Sequence, residues 1–285
     1  MKVYRSIKPL IEEIGRLKRK QKSIGLVPTM GFLHEGHLSL MRRARRDVAC
    51  VVVSIYVNPI QFGPKEDLRK YPRDLRRDTD LCREVGADIC FIPDTRTMYP
   101  DGFSTYVNVE DLGDTLCGAS RPGHFKGVTT VVAKLFNIVR PDTAYFGQKD
   151  AQQAIIIKRM VADLNMPVKI KVVPIVRERD GIAMSSRNIY LSPDERKEAV
   201  SLRRSLDLAR VLYANGERDP REIIKKMRRA ILKEKDAKID YLSIVDLKDL
   251  KDINRISKNA LVAVAVKIGK TRLIDNVILS NSQTA

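Results

Sequence analysis

This sequence has few of the residues and runs that mark several large classes of protein. Its 285 residues include no tryptophan and three histidines, and no apolar run approaches the ~20 residues of a membrane span. Its four cysteines (Cys50, Cys82, Cys90 and Cys117) form no Cys-x-x-Cys pair and have no histidine beside them. A disulfide framework, a zinc site and a membrane partner are therefore not expected.

The first positions, 1–14, also lack the apolar core and cleavage site of a signal peptide. We therefore expect a cytoplasmic protein. The length suits one large domain or two ordinary ones, without an internal repeat or a flexible linker.

The net charge of +18 raises a nucleic-acid hypothesis. The basic residues, however, are spread along the chain, and the densest clusters, at 42–46 and 225–229, fall on predicted helices. Solvated helix faces explain this pattern better, so we predict no nucleic-acid partner. An RNA-binding protein on a synthetase-like scaffold remains an alternative, and it predicts steeply salt-dependent RNA binding.

Short apolar runs alternate with amphipathic stretches through the first two-thirds of the chain. Strands are predicted at 23–27, 49–57, 89–92, 143–146 and 168–176, and helices at 38–46, 75–85, 128–139 and 152–164. Buried strands alternating with helices predict an α/β fold, with a parallel sheet covered on both faces. Ligands of such sheets bind beyond the carboxyl ends of the strands.

The pattern changes after about position 176. Ser192, Pro193 and Glu195 form a helix start, with Ser as the N-cap and Pro in the first turn. Two helices (195–213 and 220–234) and three strands (239–245, 260–266 and 271–278) are predicted to follow. We therefore predict a larger domain at 1–176 and a smaller C-terminal α+β domain at 177–285.

The most informative segment is 28–40, PTMGFLHEGHLSL, between a predicted strand and a predicted helix. A strand, a glycine-bearing turn and a helix N-terminus bind phosphate through unpaired N–H groups and the helix dipole. His34 and His37 are three residues apart, so both imidazoles can act from one face as neutral donors to a phosphate oxygen. The alternatives are a metal pair or two structural histidines, but only His124 remains as a further histidine.

Residues 146–153, FGQKDAQQ, also follow a strand and open a helix. Asp150 is the predicted N-cap, and Lys149 can reach a phosphate as a point charge. Gln152 and Gln153 point in different directions, so we expect one of them to face a ligand. The alternative is an ordinary capped helix with solvated polar residues.

Residues 184–188, MSSRN, place two serines and an arginine on the loop between the predicted domains. Hydroxyls, N–H groups and a guanidinium suit a polyphosphate. The alternative is a polar loop ahead of the Ser192 cap.

Asn58 and Gln61 lie in VNPIQFG (57–63), just after a buried strand. Their amides suit the hydroxyls or carboxylate of a small substrate, whereas the alternative is a plain turn. Residues 66–73 are either a mobile flap or a surface loop. His124, in RPGHFKG (121–127), is predicted to be structural.

Taken together, these segments resemble the pantothenate synthetase family of pantoate–β-alanine ligases. The matching residues are Pro28 to Gly31, His34 to His37, Val57 to Pro59, Gln61 and Phe62, Arg121 to Phe125, Gly127 and Val128, Gly147, Lys149 and Asp150, Gln152 and Gln153, and Met184 to Asn188. The similarity extends to about Ser192, and beyond it only length and pattern match. The His-x-Gly-His element alone indicates the wider superfamily of nucleotidylyltransferases and class I aminoacyl-tRNA synthetases.

The resemblance implies a Rossmann-like N-terminal domain, a small C-terminal lid and a cytoplasmic homodimer. It also implies a two-step reaction. Pantoate attacks the α-phosphate of ATP to give pantoyl adenylate and pyrophosphate, and β-alanine then displaces AMP to give pantothenate. Magnesium accompanies the ATP. The main alternative is a nucleotidylyltransferase that stops after the nucleotide transfer and never releases AMP.

The resemblance also implies the site residues. The ATP-binding residues are Met30, Gly31, Phe32, Leu33, His34, Glu35, Gly36, His37, Gly147, Gln148, Lys149, Asp150, Val176, Met184, Ser185, Ser186 and Arg187. Among them, His34, His37, Lys149, Ser185, Ser186 and Arg187 are the expected catalytic residues, with His37 as a proton donor. Pantoate and β-alanine are expected at Asn58, Gln61 and Gln153.

Two positions, Phe32 and Gln148, depart from the family's usual residues, and neither is expected to touch the reacting atoms. The magnesium ligands are not identified. Asp78, Asp80 and Asp150 are unranked candidates, and a shell of water and phosphate is a further possibility.

Overall fold

The computed structural model describes residues 1–64 and 66–280, so the last five positions of the predicted C-terminal domain lie outside the described residues. Its larger sheet contains β1 (Lys2–Tyr4), β2 (Ile24–Thr29), β3 (Cys50–Ile55), β4 (Ile89–Phe91), β5 (Thr143–Gly147) and β6 (Lys169–Val173). Their order is β1-β4-β3-β2-β5-β6, and every neighbouring pair is parallel. This confirms the predicted parallel sheet.

Helices cover both faces of this sheet. They are α1 (Ile7–Arg19), α2 (Glu35–Asp47), α3 (Leu75–Glu84), the short α4 (Thr95–Met98) and α5 (Cys117–Ser120), α6 (His124–Val139) and α7 (Ala151–Asp163). One hydrophobic cluster joins the sheet to α1, α6 and α7, and another joins it to α2 and α3. The α/β prediction is therefore confirmed.

The first strand and the first helix were not predicted. Leu10, Ile14 and Leu17 are buried along one face of α1, at the i, i+4, i+7 spacing of an amphipathic helix. The charged residues between them obscure that spacing, and β1 is only three residues long.

The C-terminal part contains α8 (Pro193–Ala214), α9 (Pro220–Ile231), β7 (Ala237–Asp246), β8 (Ala260–Ile268) and β9 (Thr271–Leu279). The strands form an antiparallel sheet in the order β7-β8-β9. The predicted start of α8 is confirmed, because Ser192 Oγ accepts from the Glu195 N–H at 3.2 Å and Glu195 Oε2 accepts from the Ser192 N–H at 2.8 Å. The predicted α+β arrangement is confirmed as well.

The small sheet is covered on both sides. Val262, Val264 and Val277 pack with α8 and α9, whereas Leu261 and Ala263 belong to the core of the larger sheet. The two parts therefore share a hydrophobic contact that places β9 beside the loops after β5 and β6. The division at 176/177 itself stays a prediction.

The four cysteines are buried and free, as expected for small core residues. Within residues 1–64 and 66–280, no helix has both the length and the apolar character needed to cross a membrane.

Candidate active site

A cleft of about 230 Å³ lies beyond the carboxyl ends of β2, β3 and β5, where the sheet geometry predicts ligand binding. Most of the predicted site residues line it. They are Met30, His34, Gly36, His37, Asn58, Gln61, Gly147, Lys149, Asp150, Gln153, Val176, Ser185, Ser186 and Arg187. Six residues expected to contact the nucleotide are not among those lining the cleft: Gly31, Phe32, Leu33, Glu35, Gln148 and Met184.

A buried carboxylate holds the turn before α2 through hydrogen bonds to its backbone. Asp78 on α3 is 0% exposed and accepts the N–H groups of Phe32 and Leu33, each at 2.7 Å. Burial raises the pKa of Asp78, although these two donors oppose the shift. Gly31 has φ of +83°, and a side chain there would begin 3.0 Å from the Asp78 carboxylate. A glycine is therefore required at the tightest point of this turn.

This anchoring determines which N–H groups of the predicted phosphate-binding segment are free. The N–H of Gly31 donates to Thr29 Oγ1 at 3.2 Å, and those of Phe32 and Leu33 donate to Asp78. In this segment, the N–H groups of Met30 and, at the start of α2, of Glu35 and Gly36 are without a partner among the described residues. The N–H groups available to an anion therefore lie at the end of β2 and in the first turn of α2.

His37 is neutral and its tautomer is determined by the backbone. Its Nδ1 accepts the N–H of His34 at 3.3 Å, so the ring proton resides on Nε2. Burial, together with the neighbouring His34 and Lys149, lowers the pKa of His37 well below its ordinary value. An Nε2–H donor in the cleft lining is thus available at neutral pH.

His34 stacks on His37, with ring centroids 4.0 Å apart. Burial and the charge of Lys149 lower the pKa of His34 to about 4. Its Nδ1 is buried and has no partner among the described residues. A side chain at Gly36 would begin 2.9 Å from this ring, so the glycine between the histidines makes room for His34. The two histidines therefore act as neutral groups, as expected from the sequence.

On the opposite wall, a 3₁₀ turn (Gln148–Asp150) carries Lys149, whose Nζ lies 3.5 Å from Asp150 Oδ1. Asp150 is the N-cap residue of α7, as predicted, but its side chain makes no capping hydrogen bond. The carboxylate pairs with the adjacent lysine instead.

The two glutamines on α7 diverge, which confirms that one of them faces the cleft. Gln153 lines it. Gln152 is 6% exposed, accepts from Cys117 N at 3.0 Å and donates to Leu112 O at 3.0 Å, so it holds the loop at 112–117.

Gln61 is oriented by its neighbour. Asn58 Nδ2 donates to Gln61 Oε1 at 3.0 Å and to Gly127 O at 3.1 Å, while Asn58 Oδ1 accepts from Tyr99 Oη at 2.8 Å. Because its carbonyl is occupied, Gln61 presents Nε2 as a donor, 3.1 Å from Met30 Sδ. Asn58 lines the cleft, but its own polar atoms are occupied in orienting Gln61.

His124 holds the backbone of Gln61, in agreement with its predicted structural role. Its Nδ1–H donates to Gln61 O at 2.8 Å, and its Nε2 accepts from Arg121 Nη1 at 3.0 Å. Burial and Arg121 lower the pKa of His124 to about 4. Arg121 in turn pairs with Glu66, at 2.7 and 2.5 Å.

The segment at 66–73 lies beside the cleft and is fastened at its start by two ion pairs. Glu66 binds Arg121, and Asp67 accepts two hydrogen bonds from Arg187 at 2.9 and 2.8 Å. Ser186 Oγ donates to Phe32 O at 3.3 Å, which ties the serine loop to the turn before α2. Arg187 is thus already paired with a carboxylate at the edge of the cleft.

The three magnesium candidates differ in their surroundings. Both oxygens of Asp78 are occupied by N–H groups, and Asp80 is exposed and pairs with Arg83. Asp150 lines the cleft. Apart from position 65 and the last five positions, which are outside the described residues, no group of three or more His, Cys, Asp or Glu side chains forms a possible metal cage.

Sequence reasoning did not identify Tyr99, Arg121 or the pair Asp275–Asn276 as parts of the site. Asn276 Nδ2 donates to the carbonyl oxygens of Gln148 and Lys149, at 2.8 and 2.9 Å. The one signal in the sequence was the occurrence of two polar residues inside the apolar run 273–279.

Comparison with known proteins agrees with this geometry. The pantoate-beta-alanine ligase family profile matches residues 2–278. The pantothenate synthetase of Acetivibrio thermocellus is 56% identical over 279 residues, covering 98% of this chain and 99% of that protein. That of Thermotoga petrophila is 54% identical, covering 98% and 100%.

Solved structures agree as well. The pantothenate synthetase of Thermus thermophilus matches with a TM-score of 0.93 and 45% identity, covering 97% of this chain and 99% of that one. The pantoate-beta-alanine ligase of Francisella tularensis, complexed with beta-gamma ATP and beta-alanine, matches with a TM-score of 0.81 and 34% identity, covering 98% and 97%. This chain therefore belongs to the pantoate–β-alanine ligase family.

Proposed function

We propose that this cleft performs the family's ATP-dependent ligation of pantoate to β-alanine through pantoyl adenylate, with the residue roles given below. A carboxylate oxygen of pantoate attacks the α-phosphorus, and the bond to pyrophosphate breaks. The amine of β-alanine then attacks the acyl carbon, the bond to AMP breaks, and the amine loses a proton as the amide forms.

One observation carries the proposal: the neutral His34–His37 pair and Gly36, whose N–H group is free, line the same cleft as Lys149. In-line attack at phosphorus needs positioning and charge neutralisation more than covalent chemistry. His37 Nε2–H donates to an oxygen that gains charge, and Lys149 neutralises phosphate from the opposite wall. Ser185, Ser186 and Arg187 complete the nucleotide site.

Pantoate is held by Gln61 and Gln153, whose neutral amides orient it without trapping its carboxylate in an ion pair. The donor face of Gln61 suits a hydroxyl or carboxylate oxygen. Val128, Val131 and Val132 of α6 line the same cleft and suit the two methyl groups of pantoate. Gln61 also lies where the amine of β-alanine enters.

Mg²⁺ fits this site as an ion carried mainly by ATP phosphates, which is how Mg²⁺ is usually bound. Asp150 is the candidate carboxylate in the cleft lining, and its Lys149 partner lies 3.5 Å away. When bound, the ion neutralises phosphate charge.

The proposal also includes a cytoplasmic homodimer without a nucleic-acid partner, supported by the family resemblance. We also propose that the chain is divided into a larger domain and a C-terminal lid. Light scattering on the purified protein, with and without RNA, tests the assembly: a monomer or an RNA complex would contradict it.

The function is tested by product analysis with ATP, Mg²⁺, pantoate and β-alanine, leaving out one component at a time. We expect AMP and pantothenate only in the complete mixture, and pantoate-dependent exchange of pyrophosphate into ATP without β-alanine. Pyrophosphate release without any AMP in the complete mixture would instead indicate the nucleotidylyltransferase.

The pantoate pocket has its own test in Gln61→Ala. Loss of a hydrogen bond worth ~0.5–1.5 kcal/mol should raise the KM for pantoate by roughly two- to tenfold. The KM for ATP serves as the internal control. An unchanged dependence on pantoate would remove Gln61 from the pocket.

A further inference from the structure

Asp275 and Asn276 are adjacent polar residues inside the apolar part of β9. They are 3% and 5% exposed, and neither has a role in the chemistry described above. Buried polar groups are generally paired, so the partners of these two show what the strand holds in place.

The two side chains point to opposite faces of the small sheet, as neighbours on a strand do. Asp275 shares its face with Val277, which packs with α8 and α9. Asn276 shares its face with Ile278, which packs against the core of the larger sheet. One strand therefore reaches two different parts of the molecule.

Asp275 holds the loop that leads to the serines. Its carboxylate accepts from Arg177 Nη1 at 2.7 Å and Nη2 at 3.0 Å, and Nη1 also donates to Gly181 O at 3.0 Å. Arg177 and Ala183 form an antiparallel bridge, so this contact fixes a small hairpin directly before Ser185.

Asn276 holds the turn that carries the lysine. Its Nδ2 donates to Gln148 O at 2.8 Å and Lys149 O at 2.9 Å, and Gln148 Nε2 donates back to Asn276 Oδ1 at 3.4 Å. Asn276 thus fastens the backbone of the 3₁₀ turn to the small sheet, although it lies 128 positions from Gln148 and 127 positions from Lys149 in the sequence.

We propose that Asp275 and Asn276 are positioning residues that set the distance between Lys149 and the Ser185–Arg187 loop, so that adenylate formation depends on β9. Asp275 and Asn276 are consecutive residues of β9, and their Cα atoms are therefore ~3.8 Å apart. Because each of them holds one loop, the positions of both loops are fixed relative to the same strand. The inference rests on the proposed function, because it takes both loops as parts of the nucleotide site. Misplacement by about 1 Å can cost ~10²-fold in rate.

The test is Asn276→Asp, which keeps the shape but removes the amide donor from the two carbonyl oxygens. Pantoate-dependent pyrophosphate exchange should fall by about 10- to 100-fold. The second step, measured with supplied pantoyl adenylate and β-alanine, should stay close to the wild-type rate. Asn254→Asp is the matched control, because Asn254 is exposed in the loop between β7 and β8.

Asn276→Ala removes the donor without adding a charge. If Asn276→Asp does not fold, the same measurements on Asn276→Ala test the inference. Exchange by both variants at the rate of the Asn254→Asp control would overturn the inference. An equal loss in both steps would also overturn it, because that result indicates a purely structural role. Absence of exchange in the wild-type protein would instead contradict the proposed function.

Discussion

Two loops meet at the cleft, and a buried aspartate anchors each of them in a different way. The turn at 30–37 is fastened by Asp78, which accepts two backbone N–H groups and has no ionic partner among these contacts. The loop at 177–187 is fastened by Asp275, which accepts two hydrogen bonds from a guanidinium. The first anchor is therefore a carboxylate that accepts hydrogen bonds from neutral donors, and the second is a buried ion pair.

The difference shows how the same residue type supports two kinds of site. The first loop must present neutral imidazoles, and burial together with the charge of Lys149, rather than the anchor, keeps them neutral. The second must present hydroxyls and a cation, and its ion pair adds no net charge to the cleft. The first loop is expected to depend on pH through His34, and the second on an intact pair of charges in its anchor.

Breaking the ionic anchor should have the largest effect on stability. Asp275→Asn leaves Arg177, whose side chain is 18% exposed, without its charge partner. Loss of one member of a buried pair costs about 3–5 kcal/mol in the free energy of unfolding. Urea titration measures it. Asp101→Asn, which breaks the exposed Arg96–Asp101 pair, is the control and should change little. Equal effects of the two substitutions would contradict the comparison.

The second-largest effect on the free energy of unfolding is expected from acid, which should weaken the first loop. The folded-state pKa of His34 is about 4, below the ordinary 6.5, because burial and Lys149 disfavour its charged form. Its contribution to stability is therefore complete above pH 6.5 and is lost as the pH falls toward 4, since the unfolded chain then binds the extra proton. The loss is about 3 kcal/mol at most.

This loss can be assigned to His34 by comparing urea unfolding of the wild type and His34→Gln between pH 7.5 and 5. The stability of the variant should fall less steeply as the pH decreases. Parallel curves for the two proteins would show that His34 is not the group responsible.

His37→Ala tests whether the first loop contributes to the formation of the adenylate. Removing one donor aimed at developing charge typically lowers a rate by ~10²-fold, and we expect that loss in pantoate-dependent pyrophosphate exchange. The free energy of unfolding should change little, because the half-buried ring makes one hydrogen bond, at 3.3 Å. Near-normal exchange would remove His37 from the chemistry.

The smallest expected effect is that of Asp78→Asn in the neutral anchor. The amide keeps one acceptor and leaves one buried N–H unpaired, which costs about 1–3 kcal/mol. The lower end is expected, because burial raises the pKa of Asp78 and the substitution removes that buried charge. Urea titration at neutral pH, beside Asp275→Asn, provides the measurement. A loss larger than that of Asp275→Asn would reverse the comparison.

Much of the fold was predictable because its signals are local. The apolar runs of β2, β3 and β5 and the spacing of α2, α3 and α7 are each read within about twenty residues, and the structure confirms these elements. The Ser192 capping box was predictable for the same reason. The first strand and helix were missed, because a three-residue strand and a charge-rich helix have weak patterns.

Most of the site residues predicted from the sequence line the cleft, because polar residues after buried strands meet at one edge of a parallel sheet. It did not show which polar atoms stay free. Asn58 was expected to bind substrate, yet its amide is occupied by Gln61, Gly127 and Tyr99. Asp150 occupies the expected N-cap position of α7, yet its carboxylate makes no capping hydrogen bond and pairs with Lys149.

The sequence by itself determined most of the strands and helices along the chain, the strand-end position of the site and the residue types available to it. Periodicity and turn chemistry are local, so no knowledge of packing is needed. Only the tertiary structure decided that Asp78 occupies the N–H groups of its turn and that Asp275 and Asn276 fasten two loops to β9. These contacts join residues 45 to 127 positions apart, and only the packing of helices and sheets brings them together.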